Sequence, residues 1–218
     1  GTRAANVFWI SEGAMSIGAS SFLKGTFISH PGALSLGLNC TVEGRLFSTQ
    51  GAITVGAGTV AVMPSGNSTI PINCSGNCSP AAAVDVLGSL KKYALFTSSG
   101  AVANAETSGI VGDIGTNLGV ISGFTTSTQV GSFNLPSATT AQAVADLANA
   151  YIQIKLLPNT VTGHLPAFGL GETVLPGVYY TAGAGSLAGT ITLDAQGNSN
   201  AIFVFKFNGA FSAAAQSK

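Results

Sequence analysis

The sequence predicts a mainly β chain: an irregular β-solenoid with one long α-helix packed alongside. Three observations carry that expectation. A Gly-Ala pattern recurs at a fixed interval, paired apolar runs recur in register with it, and one stretch alone has helical periodicity.

The Gly-Ala pattern comes first in the argument. Glu12-Gly13-Ala14-Met15-Ser16, Pro31-Gly32-Ala33-Leu34-Ser35 and Gln50-Gly51-Ala52-Ile53-Thr54 follow one another at 19-residue spacing, and Asn208-Gly209-Ala210-Phe211-Ser212 repeats them near the C-terminus. Ser99-Gly100-Ala101-Val102 and Gly183-Ala184-Gly185-Ser186-Leu187 are weaker relatives. A repeat of about 20 residues, built from short runs between Gly turns, is one solenoid coil, whereas a propeller blade needs about 40.

Each coil divides into faces. Phe8-Trp9, Phe27-Ile28, Leu46-Phe47 and Val204-Phe205 place two apolar residues side by side. Neighbours in a strand point to opposite sides, so both sides of this face must be covered. After the Gly-Ala turn the pattern alternates: Met15 and Ile17 flank Ser16, Leu34 and Leu36 flank Ser35, and Ile53 and Val55 flank Thr54. That second face has one buried and one solvated side. A third run holds Ser21-Phe22-Leu23, Cys40-Thr41-Val42, Thr59-Val60-Ala61 and Thr190-Ile191-Thr192-Leu193.

The helix is predicted over residues 138–157. Ser137 to Thr140 offer N-cap hydroxyls, Val144, Leu147, Tyr151 and Ile154 share one side, and Pro158 limits the end. A lone amphipathic helix needs a surface to pack on, and the doubly apolar face supplies it. Residues 63–92, with Pro64, Pro71, Pro80 and Lys91-Lys92, read as a linker or cap.

Composition narrows the function. Only 8 Lys plus Arg and 8 Asp plus Glu occur in 218 residues, the net charge is zero, and Ser (23) and Thr (21) are abundant. A typical soluble chain is about 25% charged. The balance gives no footprint for nucleic acid, and no run approaches the ~18 apolar residues of a membrane span. The first six residues do not form a signal peptide, which is compatible with a mature secreted form. Cys74 and Cys78 could close a small loop or stay reduced, and neither they nor Cys40 have histidines near enough in sequence for a metal site.

Catalytic patterns are missing. The eight acids are scattered, His30 sits at a coil corner and His164 in a loop, and Gly-x-Ser-x-Gly and phosphate-loop motifs do not occur. No catalytic residue, cofactor or metal is expected. What recurs is the outward hydroxyl column of Ser16, Ser35, Thr54 and Ser212, beside Ala14, Ala33, Ala52 and Ala210. Stacking would set these about 4.8 Å apart on a flat, uncharged surface able to hold ordered water.

Several stretches together resemble the bacterial and fungal ice-binding proteins. They are Tyr93-Ala94-Leu95-Phe96-Thr97, Gly112-Asp113-Ile114-Gly115-Thr116-Asn117, Pro176-Gly177-Val178-Tyr179, Leu193 to Asn198, Ile202-Phe203-Val204-Phe205, Asn6-Val7-Phe8-Trp9 and Glu43-Gly44-Arg45-Leu46. The resemblance implies a right-handed, three-faced solenoid without enzymatic activity. It also implies a secreted or cell-surface location and ice as the partner, bound through a Thr-Ala/Gly-x-Thr/Asn type motif on one flat face. The motif maps onto the Gly-Ala repeats, with Gly13, Gly32 and Gly51 replacing its first threonine.

That replacement keeps a second face, with Thr41, Thr59, Thr190 and Thr192, as the alternative site. A carbohydrate-binding or polysaccharide-processing solenoid, or a passive adhesin module, is the alternative function. The order also departs from the family: residues 1–62 resemble its C-terminal part and residues 93–218 its N-terminal part. The expectation is one monomeric domain over 1–218, circularly permuted, rather than a junction of two tandem domains. Gly1 and Lys218 would then lie close together.

Overall fold

The computed structural model describes residues 1–71 and 83–218. Cys74, Cys78 and Pro80 lie outside the described residues. Parallel strands stack into three faces, with one α-helix among the described residues. In the helix-covered face the strands run Gly177–Thr181, Phe203–Phe207, Val7–Ser11, Phe22–Ser29, Thr41–Ser48, Tyr93–Thr97, Asp113–Thr116 and Phe133–Asn134. The first coils of the chain therefore sit in the middle of the stack. Val7–Ser11 pairs with Phe203–Phe207 on one side, and Thr41–Ser48 pairs with Tyr93–Thr97 on the other.

The paired apolar residues of this face separate into two cores. Val7, Trp9, Phe27, Leu46, Leu95, Phe203 and Phe205 point into the solenoid, where Trp9 stacks on Phe27 and Phe205. Phe8, Ile28, Phe47, Phe96 and Val204 point outward into a second core with Ala143, Leu147, Ala150, Tyr151 and Ile154 of the helix. The helix, Ala138–Lys155, ends close to its expected limits. Ser137 caps it by accepting from the Thr140 N–H, and the Thr140 hydroxyl accepts from the Ser137 N–H in return. At the other end the buried Lys206 ammonium donates to the carbonyls of Lys155 (3.1 Å) and Leu157 (2.7 Å), satisfying C-terminal acceptors.

Described residues on either side of 72–82 add to that cover. Thr69–Pro71 pairs antiparallel with Ala83–Asp85, a 3-10 turn spans Gly88–Lys92, and Ile70, Val86, Leu87 and Leu90 join the second core. Arg45 is buried beneath them, donating to the Ser68 hydroxyl (3.3 Å) and the Lys91 carbonyl (3.4 Å). Burial pulls its guanidinium down to about 10, against the opposing charge of Asp85.

Helix and solenoid are also joined by a polar cluster. The Tyr151 hydroxyl donates to Glu12, Lys155 approaches the same carboxylate at 2.5 Å, and the His30 ring stacks on Tyr151. Burial pushes the Glu12 carboxyl up. Hydrogen bonds from Lys155 and Tyr151, with the charges of Lys155 and His30, outweigh it and leave the group below its ordinary 4.5. A carboxyl depressed in the folded state stabilises fully above its unfolded value, and this is lost as pH falls through the folded one. Wild-type melting temperature should therefore fall more steeply below pH 4.5 than that of Glu12→Gln, measured by thermal melts across that range.

Candidate functional site

The Gly-Ala face is a sheet of eight parallel strands: Ala167–Gly169, Gly185–Ala188, Phe211–Ala213, Met15–Ile17, Leu34–Leu36, Ile53–Val55, Val102–Asn104 and Ile121–Ser122. Its outward central column reads Ala167, Ser186, Ser212, Ser16, Ser35, Thr54, Ala103, Ser122, without a break in register. The inward neighbours Met15, Ile17, Leu34, Leu36, Ile53, Val55, Val102 and Phe211 are buried. At about 4.8 Å per strand the column runs roughly 34 Å.

Two further columns flank it. On one side Ala184, Ala210, Ala14, Ala33, Ala52, Ala101 and Val120 lie level, as the Met15 N–H to Ala33, Leu34 N–H to Ala52 and Ile53 N–H to Ala101 bonds fix. On the other, Ala188, Ala214, Gly18, Gly37, Gly56 and Ala105 follow the same ladder. None of these residues is ionisable. Among the described residues, only the Ser35 hydroxyl of the central column meets a protein acceptor, the Met15 carbonyl at 3.5 Å. The remaining hydroxyls are free to bond water.

A buried row of hydroxyls holds this surface in place. Ser11, Ser29, Ser48, Thr97 and Thr116 are in register at the corner that launches the face, and all are buried. Ser48 donates to the Gly32 carbonyl (2.7 Å), Thr97 to Gly51 (2.6 Å) and Thr116 to Gly100 (2.7 Å), each in the preceding coil of the stack. The Gly51 N–H in turn donates to the Ser48 hydroxyl at 2.8 Å, so one hydroxyl ties two coils. Glycine is required where the coils touch: a Cβ on Gly32 would stand 2.6 Å from the Ala14 nitrogen.

The expected residues separate cleanly. Ser16, Ser35, Thr54, Ser212, Ala14, Ala33 and Ala52 come together on this one face. The four threonines of the alternative face do not come together. Thr59 needs correction as a surface residue: it is fully buried at a corner, where its hydroxyl donates to the Gly37 carbonyl at 3.2 Å. Thr41 is half-buried in a column with Phe22, Val60, Gly109 and Thr128. That third face also carries the Lys24–Glu43 ion pair (2.8 Å) and exposed Val62, Val111 and Val130. Thr190 and Thr192 are exposed across a gap, where Ile191–Leu193 pairs only with Glu172–Val174.

Sequence reasoning left Ser186, Ala103 and Ser122 out of the column. Ser186 was signalled by its Gly-Ala preface, but at Ser122 valine replaces the expected alanine and hides the repeat. The buried row was signalled too. Ser29, Ser48, Thr97 and Thr116 each precede by three residues the glycines 32, 51, 100 and 119.

The acids hold structural posts instead of converging. Asp146 accepts from the Ser89 N–H and hydroxyl, Asp113 from the Ser132 N–H, Asp194 from the Gln196 N–H, and Glu172 from Gly169 and His164. Among the described residues, no group of three or more His, Cys, Asp or Glu could hold a metal ion. Among the described residues, no helix is long and apolar enough to cross a membrane.

The described residues thus form a parallel solenoid backed by a helix, with one long face of small uncharged residues. The sequence matches the ice-binding-like family over residues 1–61 and 96–218, and the chain belongs to that family. It is 32% identical over 139 residues to an ice-binding protein of Nostoc sp. (strain HG1), covering 63% of this chain and 51% of that protein. The crystal structure of an ice binding protein from an Antarctic Flavobacteriaceae bacterium aligns at 35% identity and a TM-score of 0.53. That alignment takes in 97% of this chain and 48% of the other. The chain thus spans about half the length of these relatives.

The hydroxyl row makes a contrast that can be measured. Thr97→Val keeps the shape but strands the Gly51 carbonyl, which should cost about 1–3 kcal/mol in urea unfolding. The exposed Ser16→Ala should stay within about 0.5 kcal/mol of wild type.

Proposed function

We propose that the Gly-Ala face adsorbs to ice and so inhibits ice growth and recrystallisation. One observation carries the reading: the eight-strand column of hydroxyl and methyl groups is unbroken and free of charge. Hydroxyls spaced at strand intervals hold first-layer water by hydrogen bonds, while the alanine columns limit competing contacts. Charged groups would order water around themselves and disrupt a lattice-compatible layer. Ice advancing between adsorbed molecules must curve, and curvature makes further growth less favourable.

In this reading the protein acts without catalysis, cofactor or metal, as a secreted or cell-surface monomer. Residues 1–218 form one domain in permuted order, with the strand pairs Val7–Ser11 with Phe203–Phe207 and Thr41–Ser48 with Tyr93–Thr97 as support. The family match and the ice-binding relatives favour ice over a polysaccharide partner.

The double variant Ser35→Tyr/Thr54→Tyr should lose most of its thermal hysteresis and its partitioning into ice on a cold finger. Its melting temperature should move by less than about 2 °C, because the sites are on the surface. Thr192→Tyr should leave ice activity intact. Full activity in the double variant would remove the Gly-Ala face from the proposal, and loss with Thr192→Tyr would transfer the role to the third face.

A further inference from the structure

One corner of the Gly-Ala face lacks the clamp that its neighbours have. Phe207 stands between Thr181 and Ser11 in the corner row, where a hydroxyl is otherwise the rule. Its ring is buried and stacks on Phe211 at 4.9 Å. The carbonyls of Gly13, Gly32, Gly51 and Gly100 each accept from a serine or threonine hydroxyl. Among the described residues the Gly209 carbonyl has no such partner, because the Ser11 hydroxyl turns to Gly13 in its own coil at 2.7 Å.

The same corner holds Asn208-Gly209, the one Asn-Gly pair in the sequence. Asn208 is exposed, and its N–H donates to the Thr181 carbonyl (2.9 Å). Neither its side-chain amide nor the Gly209 N–H is hydrogen-bonded among the described residues. Asparagine amides are labile where the following backbone nitrogen can reach them. A side chain on the following residue shields that nitrogen, and glycine has none. Other asparagines are better protected. Asn6 and Asn104 are buried, Asn149 is inside the helix, Asn117 accepts from Thr140 and Asn198 from the Asn200 N–H. None of the rest precedes glycine.

We propose that Asn208 is a site of spontaneous modification, and that its product breaks the Gly-Ala face at Ser212. The Gly209 nitrogen bonds to the side-chain carbonyl carbon of Asn208 and gives up its proton. The bond from that carbon to the amide nitrogen breaks, and the nitrogen leaves with the proton as ammonia. Water then opens the resulting cyclic imide and restores the Gly209 N–H. Cleavage beside the side-chain carbon gives aspartate. Cleavage beside the main-chain carbon gives isoaspartate, whose backbone runs through the former side chain and is longer by one carbon.

The corner has no room for that carbon. A Cβ on Gly209 would already stand 2.8 Å from the Ala184 nitrogen, so the two coils meet backbone to backbone. Ala210 follows directly, and Ser212 sits between Ser186 and Ser16 in the central column. The added charge is the lesser effect, because Asn208 is level with Glu12 and a carboxylate already stands in that corner position. The modification itself is independent of the ice-adsorption reading, whereas its effect on ice rests on that reading.

The test ages folded protein in warm, mildly alkaline buffer. Peptide mapping by mass spectrometry, with isoaspartyl methyltransferase labelling, follows each asparagine. NMR follows the Ala210 and Ser212 amides, and thermal hysteresis is read on the same samples. Wild type should convert Asn208 before any other asparagine, shift both amides, and lose hysteresis as isoaspartate accumulates. Aged Asn208→Ser should keep its amide positions and its hysteresis. Freshly made Asn208→Asp, whose backbone is regular, should keep most of its hysteresis. An intact Asn208 amide once another asparagine has converted, or once the urea-unfolded chain has converted there, would overturn the site. Isoaspartate with an unmoved Ser212 amide would overturn the break in the face. Full hysteresis in an isoaspartyl chain whose Ser212 amide has moved would instead count against the ice-adsorption reading.

Discussion

Close backbone contact at the glycine corners is the constraint on which the molecule rests. At Gly32, Gly51 and Gly100 one coil lies against the main chain of the next, with no room for a Cβ. The buried hydroxyls of Ser48, Thr97 and Thr116 then clamp the corner carbonyls to the neighbouring coil. A buried carbonyl without a partner is costly, so these bonds fix the height and angle at which each coil leaves its corner. The residues one and three positions beyond each corner glycine of the 19-residue coils follow a short strand whose start is already set. The register of the Ala and Ser/Thr columns is a consequence of the corner, not a property of the exposed residues themselves.

The three faces have diverged because they pack against different things. The helix-covered face buries both sides of its strands, with Phe8, Phe47 and Phe96 turned outward, and the helix and the residues after Val62 supply the second layer. Its strands Val7–Ser11, Tyr93–Thr97 and Phe203–Phe207 are buried along their whole length. The third face keeps a solvated side but is interrupted between Ile191–Leu193 and Phe22–Ser29, and it carries charged and large apolar groups together. Only the Gly-Ala face continues through all eight strands with one chemistry. Selection among the faces is therefore decided by continuity, which no single residue reveals.

Much of this was legible in the sequence wherever the period held. The 19-residue spacing from Gly13 to Gly51 gave the coils, their inward and outward residues and the core of the candidate site. Adjacent apolar pairs such as Phe8-Trp9 called for a covering layer, and the spacing of Leu147, Tyr151 and Ile154 identified it. Legibility failed where local pattern and position part company. Thr59 alternates like a surface residue, yet the chain turns a corner there and sends its hydroxyl inward to Gly37. Ser122 joins the column although Val120 breaks the Gly-Ala signature. Ser68 and Lys91 sit in a stretch that looks irregular in sequence because their contact, Arg45, is distant along the chain.

The scarcity of charge gains meaning once its location is known. Lys24 pairs with Glu43 on the third face, Lys155 with Glu12 at the helix, Lys92 with Asp113, and Lys91 with Asp85 beside the 3-10 turn. Exposed pairs of this kind typically contribute about 0–1 kcal/mol, so stability alone gives little reason for their placement. None stands in the three columns of the Gly-Ala face, although those columns offer the most regular solvated positions in the molecule. An ordinary solvated sheet would place lysine and glutamate there, since they suit solubility and guard against edge pairing. Their exclusion from that surface, combined with their presence on the others, indicates that the face is shaped by what must lie against it.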